Sequence, residues 1–204
     1  AFEGQVHPLQ LALDVQDAMG DGDWLVIDGG NTHFWSEIAV NIAGFQGKKL
    51  GGILHPGTFS LLGVGVSFAV SAKNVDPNRN VVLISGDGAF LSGGLSIEAA
   101  FQENRPIVVV IDNNGGLDCI SQQQERLFAS GTHYATDFRD IPFHAMFEGL
   151  GGHGELVTRR EDIIPAVQRA MASGKTACVN VKVKGVISPI VLATTSKRDK
   201  ASIE

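Results

Sequence analysis

Apolar residues fall along this chain in two patterns. Unbroken runs rich in β-branched residues occur at Trp24-Leu25-Val26-Ile27, Val81-Val82-Leu83-Ile84, Ile107-Val108-Val109-Val110-Ile111 and Thr176 to Val183. Such runs suit strands buried on both faces. Between them, apolar positions return at helical spacing. One helix is entered at His7-Pro8, runs from Leu9 to Met19 and closes at Gly20; another leads from Gly29-Gly30-Asn31-Thr32 through Val40. Further helices are predicted over Phe90 to Asn104, Ile141 to Leu150 and Glu161 to Ala172, with a short strand over Gly154 to Val157. Strands alternating with helices predict an α/β fold, a doubly wound and mainly parallel sheet flanked by helices.

Other stretches carry weaker patterns. Residues 46–60 read as an irregular loop, and Thr132 to Phe138 as another. Leu61 to Val70 reads as helical with Gly63 and Gly65 inside it. Glycine in a helix costs roughly 0.5–1 kcal/mol against alanine, so close packing or a ligand is needed to justify the pair. Residues 185–204 lose the pattern and turn polar, as at Ser196-Lys197-Arg198-Asp199-Lys200. The expected organisation is one domain over 1–184 followed by a polar tail that is unordered on its own.

The stretch from Val81 to Gly116 organises the chain. It reads as strand, helix, strand, the first strand breaking at Ser85-Gly86-Asp87-Gly88 and the second at Asp112-Asn113-Asn114-Gly115-Gly116. In a parallel β-α-β unit both strand C-termini lie on one edge, where open α/β sheets bind ligands. Asp87 and Asn114, 27 positions apart, are therefore expected side by side. Magnesium takes hard oxygen ligands and is usually held by one or two protein groups together with phosphates and water. Asp87 offers a carboxylate, Asn114 a side-chain carbonyl, and the Gly115-Gly116 turn a main-chain carbonyl. Glycine at 86 and 88 lets the backbone approach a phosphate, and a helix starting at Ala89 would favour the same anion. A lone Gly-Asp-Gly is most often a turn. The second half of the arrangement, at the next strand end, is what points to a site.

Composition changes the picture little. With 204 residues, 44% apolar, 19% charged and 25 glycines, the chain can bury a substantial core. A formal charge of −6 argues against nucleic acid or an anionic membrane as partner. No apolar run reaches the length of a membrane span, and no signal peptide is visible. Cys119 and Cys178 lack metal-ligand spacing and suggest no disulfide framework, which fits a reducing, cytoplasmic setting. The chain begins with Ala rather than Met, as a processed or excised piece would.

Gly86-Asp87-Gly88, then 24 residues, then Asn113-Asn114 resembles the signature of thiamine diphosphate enzymes. The likeness extends over nearly the whole chain, as the diphosphate-binding domain of the acetolactate synthase-like group. Benzaldehyde lyase, 2-hydroxyacyl-CoA lyase and oxalyl-CoA decarboxylase look nearest. The resemblance implies thiamine diphosphate and Mg2+ as cofactors, with Asp87 and Asn114 as side-chain metal ligands and Gly116 as a carbonyl ligand. It implies cofactor contacts from Gly86, Gly88 and Ala89, and from Gly30, Asn31 and Thr32 on the earlier glycine-rich turn. Leu62 stands where similar enzymes carry a large apolar residue, usually Met, that wedges between the two rings of the cofactor. Asp118, Gln122, Gln123, Gln124, Glu125 and Arg126 match a segment that helps form the substrate mouth. His33 reads as a packed or surface histidine before a pocket residue. In some relatives the C-terminal tail closes over the active site.

The activity implied is cleavage or formation of C–C bonds beside a carbonyl, of the 2-hydroxyacyl-CoA or 2-hydroxy ketone lyase type. The alternatives are an acetolactate synthase-like carboligase, a 2-oxo acid decarboxylase and a non-catalytic paralogue. The activating glutamate of the family belongs to a separate pyrimidine-binding domain. No glutamate of this chain, Glu3, Glu37 and Glu98 included, is nominated for it. The chain alone is thus expected to be incomplete, a split subunit or part of a longer protein, working in a dimer or tetramer on a small carbonyl or acyl-CoA substrate. A plain Rossmann nucleotide-binding module would need Gly-x-Gly-x-x-Gly after the first strand, and Gly29-Gly30-Asn31 does not give that.

Overall fold

The structure is a computed structural model that describes residues 6–128 and 130–195. In chain order the elements are α1 (Pro8–Ala18), β1 (Trp24–Asp28), α2 (Asn31–Phe45), β2 (Gly52–Leu54), α3 (Gly65–Val75), β3 (Val81–Gly86), α4 (Asp87–Gly93) and α5 (Glu98–Gln102). They continue with β4 (Val108–Asn113), α6 (Asp118–Leu127), α7 (Phe143–Gly149), β5 (His153–Val157), α8 (Ile163–Ala172), β6 (Ala177–Lys182) and α9 (Pro189–Thr195). The strands form one sheet in the order β2-β1-β3-β4-β6-β5, and every pairing is parallel. The expected α/β architecture is the one observed.

Alternation along the strands divides the core in two. On one face Leu25, Ile27, Val82, Ile84, Val108, Val110, Val179 and Val181 pack with Leu11 and Val15 of α1, Ala39 of α2 and Ile163 and Val167 of α8. On the other, Val26, Val81, Leu83, Val109, Ile111 and Cys178 pack with Val66, Ala69 and Val70 of α3 and with Phe90, Phe143 and Phe147. Helices on both faces bury both sides of each central strand, which is why these strands read as unbroken apolar runs.

The order of the sheet reverses direction between β1 and β3, since β2 lies to one side of β1 and β3 to the other. This switch point leaves a crevice at the carboxyl ends of the strands. Register aligns it: Asp28 pairs with Ser85, and Gly86 with Asp112.

Four local expectations are corrected. Residues 46–60 contain an edge strand, β2, hidden from pattern reading because Gly51 and Gly52 open it. Gly52 is required there: a Cβ would run into the Trp24 indole lying over the backbone. The helix expected from Leu61 starts at Gly65, because Gly63 adopts φ +88° and cannot be helical. Its N–H and that of Gly65 instead donate to the Asp28 carboxylate, at 3.0 and 2.7 Å. The single helix expected over Phe90 to Asn104 is broken into α4, a 3-10 turn and α5, and α4 begins at Asp87 rather than Ala89. The break falls where Gly93 packs flat against the Gly63 backbone, leaving no room for a side chain.

The last correction concerns the polar tail. Residues 185–195 are ordered against the domain: Trp35 Nε1 donates to the Val186 carbonyl at 3.0 Å, and Ser188 and Val191 are buried. The charged residues from Ser196 onward, like Glu3, lie outside the described residues.

Candidate functional site

A cavity of about 250 Å³ opens at the switch point. The ten residues expected to contact cofactor or metal line it, Gly30, Asn31, Thr32, Leu62, Gly86, Asp87, Gly88, Ala89, Asn114 and Gly116, whereas of the substrate-mouth segment only Asp118 does. They come from four segments, the β1–α2 turn, the loop before α3, the β3–α4 turn and the loop after β4.

Asp87 stands at the carboxyl end of β3 and is 2% exposed. Its Oδ1 accepts the Gly88 N–H at 2.7 Å, and Oδ2 accepts the Gly115 and Gly116 N–H groups at 2.8 and 3.1 Å. The β4 loop is therefore tied to the β3 turn, which is the juxtaposition that the strand ends predicted. Burial nevertheless raises the Asp87 carboxyl to about 6, against the pull of the three N–H donors. The Gly115 carbonyl is taken by the Phe138 N–H at 2.8 Å. Gly116 has no room for a Cβ against the Thr136 carbonyl, and Gly88 none against Leu117.

Asn114 is the informative residue. Its side-chain oxygen is buried and has no hydrogen-bond partner. A buried carbonyl without a donor costs about 1–3 kcal/mol, so native proteins rarely leave one. Two further carboxylates crowd the same place. Asp112, fully buried, is raised to about 7 by burial and by the charges of Asp87 and Asp118, and Asp118 is raised mainly by burial. An unpaired carbonyl oxygen among carboxylates that resist ionising is a donor set suited to a hard cation. The residues present fit magnesium.

The β1–α2 turn has a different character. The Thr32 hydroxyl donates to Asp112 Oδ2 at 2.8 Å, and Asn31 Nδ2 donates to Gln122 Oε1 at 3.0 Å. Asn31 Oδ1 accepts the Ser188 N–H at 3.2 Å, holding the segment before α9. What this turn can offer an anion is backbone at the N-terminus of α2, a helix of 15 residues. Gly29 (φ +137°) and Gly30 permit close approach, for a Cβ at Gly30 would sit 3.1 Å from Cys119 Cβ.

Leu62 lines the cavity and remains 37% exposed, an apolar side chain at the mouth. Sequence reasoning missed Phe34, Ser60, Leu117, Cys119 and Ile120, which line it too. One signal was available: α6 starts two residues after Gly116, so its first turn must face the same crevice. Asp118 is there, and Gln122 holds it at 2.7 Å through Nε2. Gln124 instead binds the Tyr134 backbone away from the cavity. His33 is packed, as expected, and Cys178 is core.

Fold and site together define an open α/β domain with an oxygen-rich cavity beside a helix N-terminus at the switch point. The chain matches the family "Thiamine pyrophosphate enzyme, C-terminal TPP binding domain" over residues 28–181, and it belongs to that family. It is 34% identical over 182 residues to a probable acetolactate synthase of Mycobacterium bovis, covering 86% of this chain and 31% of the relative. It is 28% identical over 186 residues to 2-hydroxyacyl-CoA lyase 2 of Danio rerio, covering 88% of this chain and 28% of the relative. Among solved structures, the thiamine diphosphate-dependent 4-hydroxybenzoylformate decarboxylase of Rhodococcus jostii RHA1 superposes with a TM-score of 0.76 at 25% identity, over 92% of this chain and 34% of that one. The chain spans about a third of the length of these relatives.

Proposed function

We propose that this chain is the diphosphate- and magnesium-binding part of a thiamine diphosphate-dependent enzyme that cleaves or forms C–C bonds next to a carbonyl. The observation that carries the reading is the unpartnered, buried Asn114 oxygen opposite the Asp87 carboxylate. In this reading Asp87, Asn114 and the Gly116 carbonyl hold magnesium. Gly86, Gly88 and Ala89, with the backbone of Gly30, Asn31 and Thr32, receive the diphosphate. Leu62 supports the bend between the two rings. When bound, thiamine diphosphate supplies a carbanion that adds to a carbonyl and a ring that accepts the electrons of the adjacent C–C bond.

The size of the cavity supports a shared site. At about 250 Å³ it falls below the roughly 300–1,000 Å³ usual for a drug-sized ligand. The remainder of the cofactor then belongs to a pyrimidine-binding domain, on another segment or subunit, which also supplies the activating glutamate. The complete assembly acts as a dimer or tetramer on a small carbonyl or acyl-CoA substrate in the cytoplasm. Among reaction types we favour a 2-hydroxyacyl-CoA or 2-hydroxy ketone lyase. Acetolactate synthase-like carboligation is the second reading, favoured by the 34% identity to a probable acetolactate synthase. Among the described residues no helix is long and apolar enough to cross a membrane.

Calorimetric titration of thiamine diphosphate into the complete assembly tests the proposal. Binding is expected with magnesium and is lost in EDTA. Absence of binding with the pyrimidine domain present would overturn it. Turnover of 2-hydroxyacyl-CoA against acetolactate formation from pyruvate separates the two readings.

A further inference from the structure

We propose that His33, Glu37 and His55 form a second metal site, for a borderline divalent cation of the zinc type, which clips the loop leading to Leu62 onto α2. None of the three residues lines the cofactor cavity.

The placement follows from local structure. His33 and Glu37 lie four residues apart on α2 and so share one face of the helix. β2 pairs with β1 through Val26 and Leu54, which carries the next residue, His55, to the start of α2. His33 Nε2 lies 3.0 Å and His55 Nδ1 3.9 Å from the same carboxylate oxygen, Glu37 Oε1. One ligand atom from each residue falls within 4.8 Å of the others. A tetrahedral zinc with bonds of about 2.1 Å sets its ligand atoms about 3.4 Å apart, between the two separations found here. Glu37 and His55 are both partly exposed, and the small rotation that remains would release the contact of His55 with Gly57.

A second observation is independent of the spacing. His33 is 3% exposed, yet neither of its ring nitrogens makes a hydrogen bond. The nearest polar atom is Glu37 Oε1, 3.0 Å from Nε2 in an ion-pair contact. Buried imidazole nitrogens normally have partners. A metal–nitrogen bond would give this ring the partner it lacks. His55 Nδ1 accepts the Gly57 N–H at 3.2 Å, and metal binding would exchange that contact for a stronger one.

The donor set separates this site from the one at Asp87. Two imidazoles and one carboxylate suit zinc and its neighbours, whereas magnesium prefers oxygen alone. Three protein ligands leave one coordination position for water. The other histidine flanked by carboxylates, His133 between Glu125 and Asp137, has both ring nitrogens bonded, at 2.9 and 2.8 Å.

The test is zinc titration into the chelator-stripped protein in its natural assembly, with magnesium in excess. One saturable zinc per chain is expected, with a zinc-dependent rise in melting temperature. His55→Ala and Glu37→Gln alter exposed side chains, so the fold is retained, as circular dichroism would verify. Each should weaken zinc at least tenfold, while Asp87→Ala leaves zinc affinity unchanged. Zinc bound equally well by both variants, or lost on His133→Ala instead, would overturn the assignment. So would the absence of saturable binding below millimolar zinc.

Discussion

The two glycine-rich turns at the switch point look alike in sequence and are used differently. At Gly29-Gly30-Asn31-Thr32 the polar side chains are spent on the protein itself, Asn31 on Gln122 and Ser188, Thr32 on Asp112. At Asp87 and Asn114 the backbone closes the loop, and one side-chain oxygen is left buried without a partner. One turn is a scaffold that presents backbone. The other leaves a buried side-chain oxygen without a partner among the described residues. Residue type and glycine content do not distinguish the two; the hydrogen bonds do.

The largest effect should come from the second turn. Asp87→Ala or Asn114→Ala removes a proposed metal ligand. Cofactor affinity in magnesium should then fall by about 100-fold or more, beyond the ~10–100-fold typical of changes behind the ligands. The fold should survive Asn114→Ala unchanged, since the Asn114 oxygen has no partner among the described residues, whereas Asp87→Ala also frees the Gly88, Gly115 and Gly116 N–H groups and should cost some stability. Calorimetry and thermal melts of the same samples check both halves, and unchanged affinity in both variants would mean that the metal sits elsewhere.

Thr32→Val is the mirror experiment on the first turn. It keeps the side-chain shape and removes the one hydrogen bond that a side chain gives the buried Asp112 carboxyl. Stability should drop by about 1–3 kcal/mol, or about 2–4 °C in melting temperature for each kcal/mol. Cofactor affinity should change only a few-fold, because this turn is expected to act through its backbone. A loss as large as that of Asp87→Ala would erase the distinction between the turns.

What could be read in advance follows from how local each feature is. β3 and β4 were legible because burial on both faces makes Val81 to Ile84 and Val108 to Ile111 continuously apolar. Asp87 meets Asn114 because parallel strand ends lie on one edge, a rule that needs no tertiary detail. The Thr32–Asp112 bond was not legible: it joins residues 80 positions apart, and a threonine after two glycines suits a phosphate cradle equally well. Nor was the order of residues 185–195, where Asn31 to Ser188 and Trp35 to Val186 are bonds between residues more than 150 positions apart. The start of α3 was misread because Gly63 serves a backbone conformation and a carboxylate, Asp28, that are invisible to hydrophobic spacing.

Asp112 gives a smaller effect that depends on pH. Its carboxyl is held at about 7 in the folded protein, chiefly by burial, against about 4 in an unfolded chain. The folded state therefore binds the extra proton between these values. Its stabilising contribution is complete below pH 4 and is lost as pH rises through 7. Asp112→Asn stays neutral and can still accept from Thr32. Melts with chelator present should show variant and parent nearly equal at pH 4–5, and the variant a few degrees more stable at pH 8. A constant difference across that range would mean that Asp112 is ionised in the fold at all these pH values.

The smallest effect, and the sharpest on the scaffold role, belongs to Asn31→Ala. It removes two neutral hydrogen bonds, nominally about 0.5–1.5 kcal/mol each, and the support that Asn31 gives the Asp118 carboxylate. Most of that should not appear in the global melt, because Ser188 and α9 lie at the end of the described chain and can open while the sheet stays closed. The expected signature is faster amide exchange confined to residues 186–192, with β1 and β3 unchanged and cofactor affinity only slightly weaker. The Trp35 bond to Val186 and the burial of Val191 remain in the variant and set a floor to that opening. If exchange there is unaltered, the other contacts of the segment hold it and the Asn31 side chain is free to serve the cavity. The first turn would then resemble the second after all, with a polar side chain in reserve for the ligand.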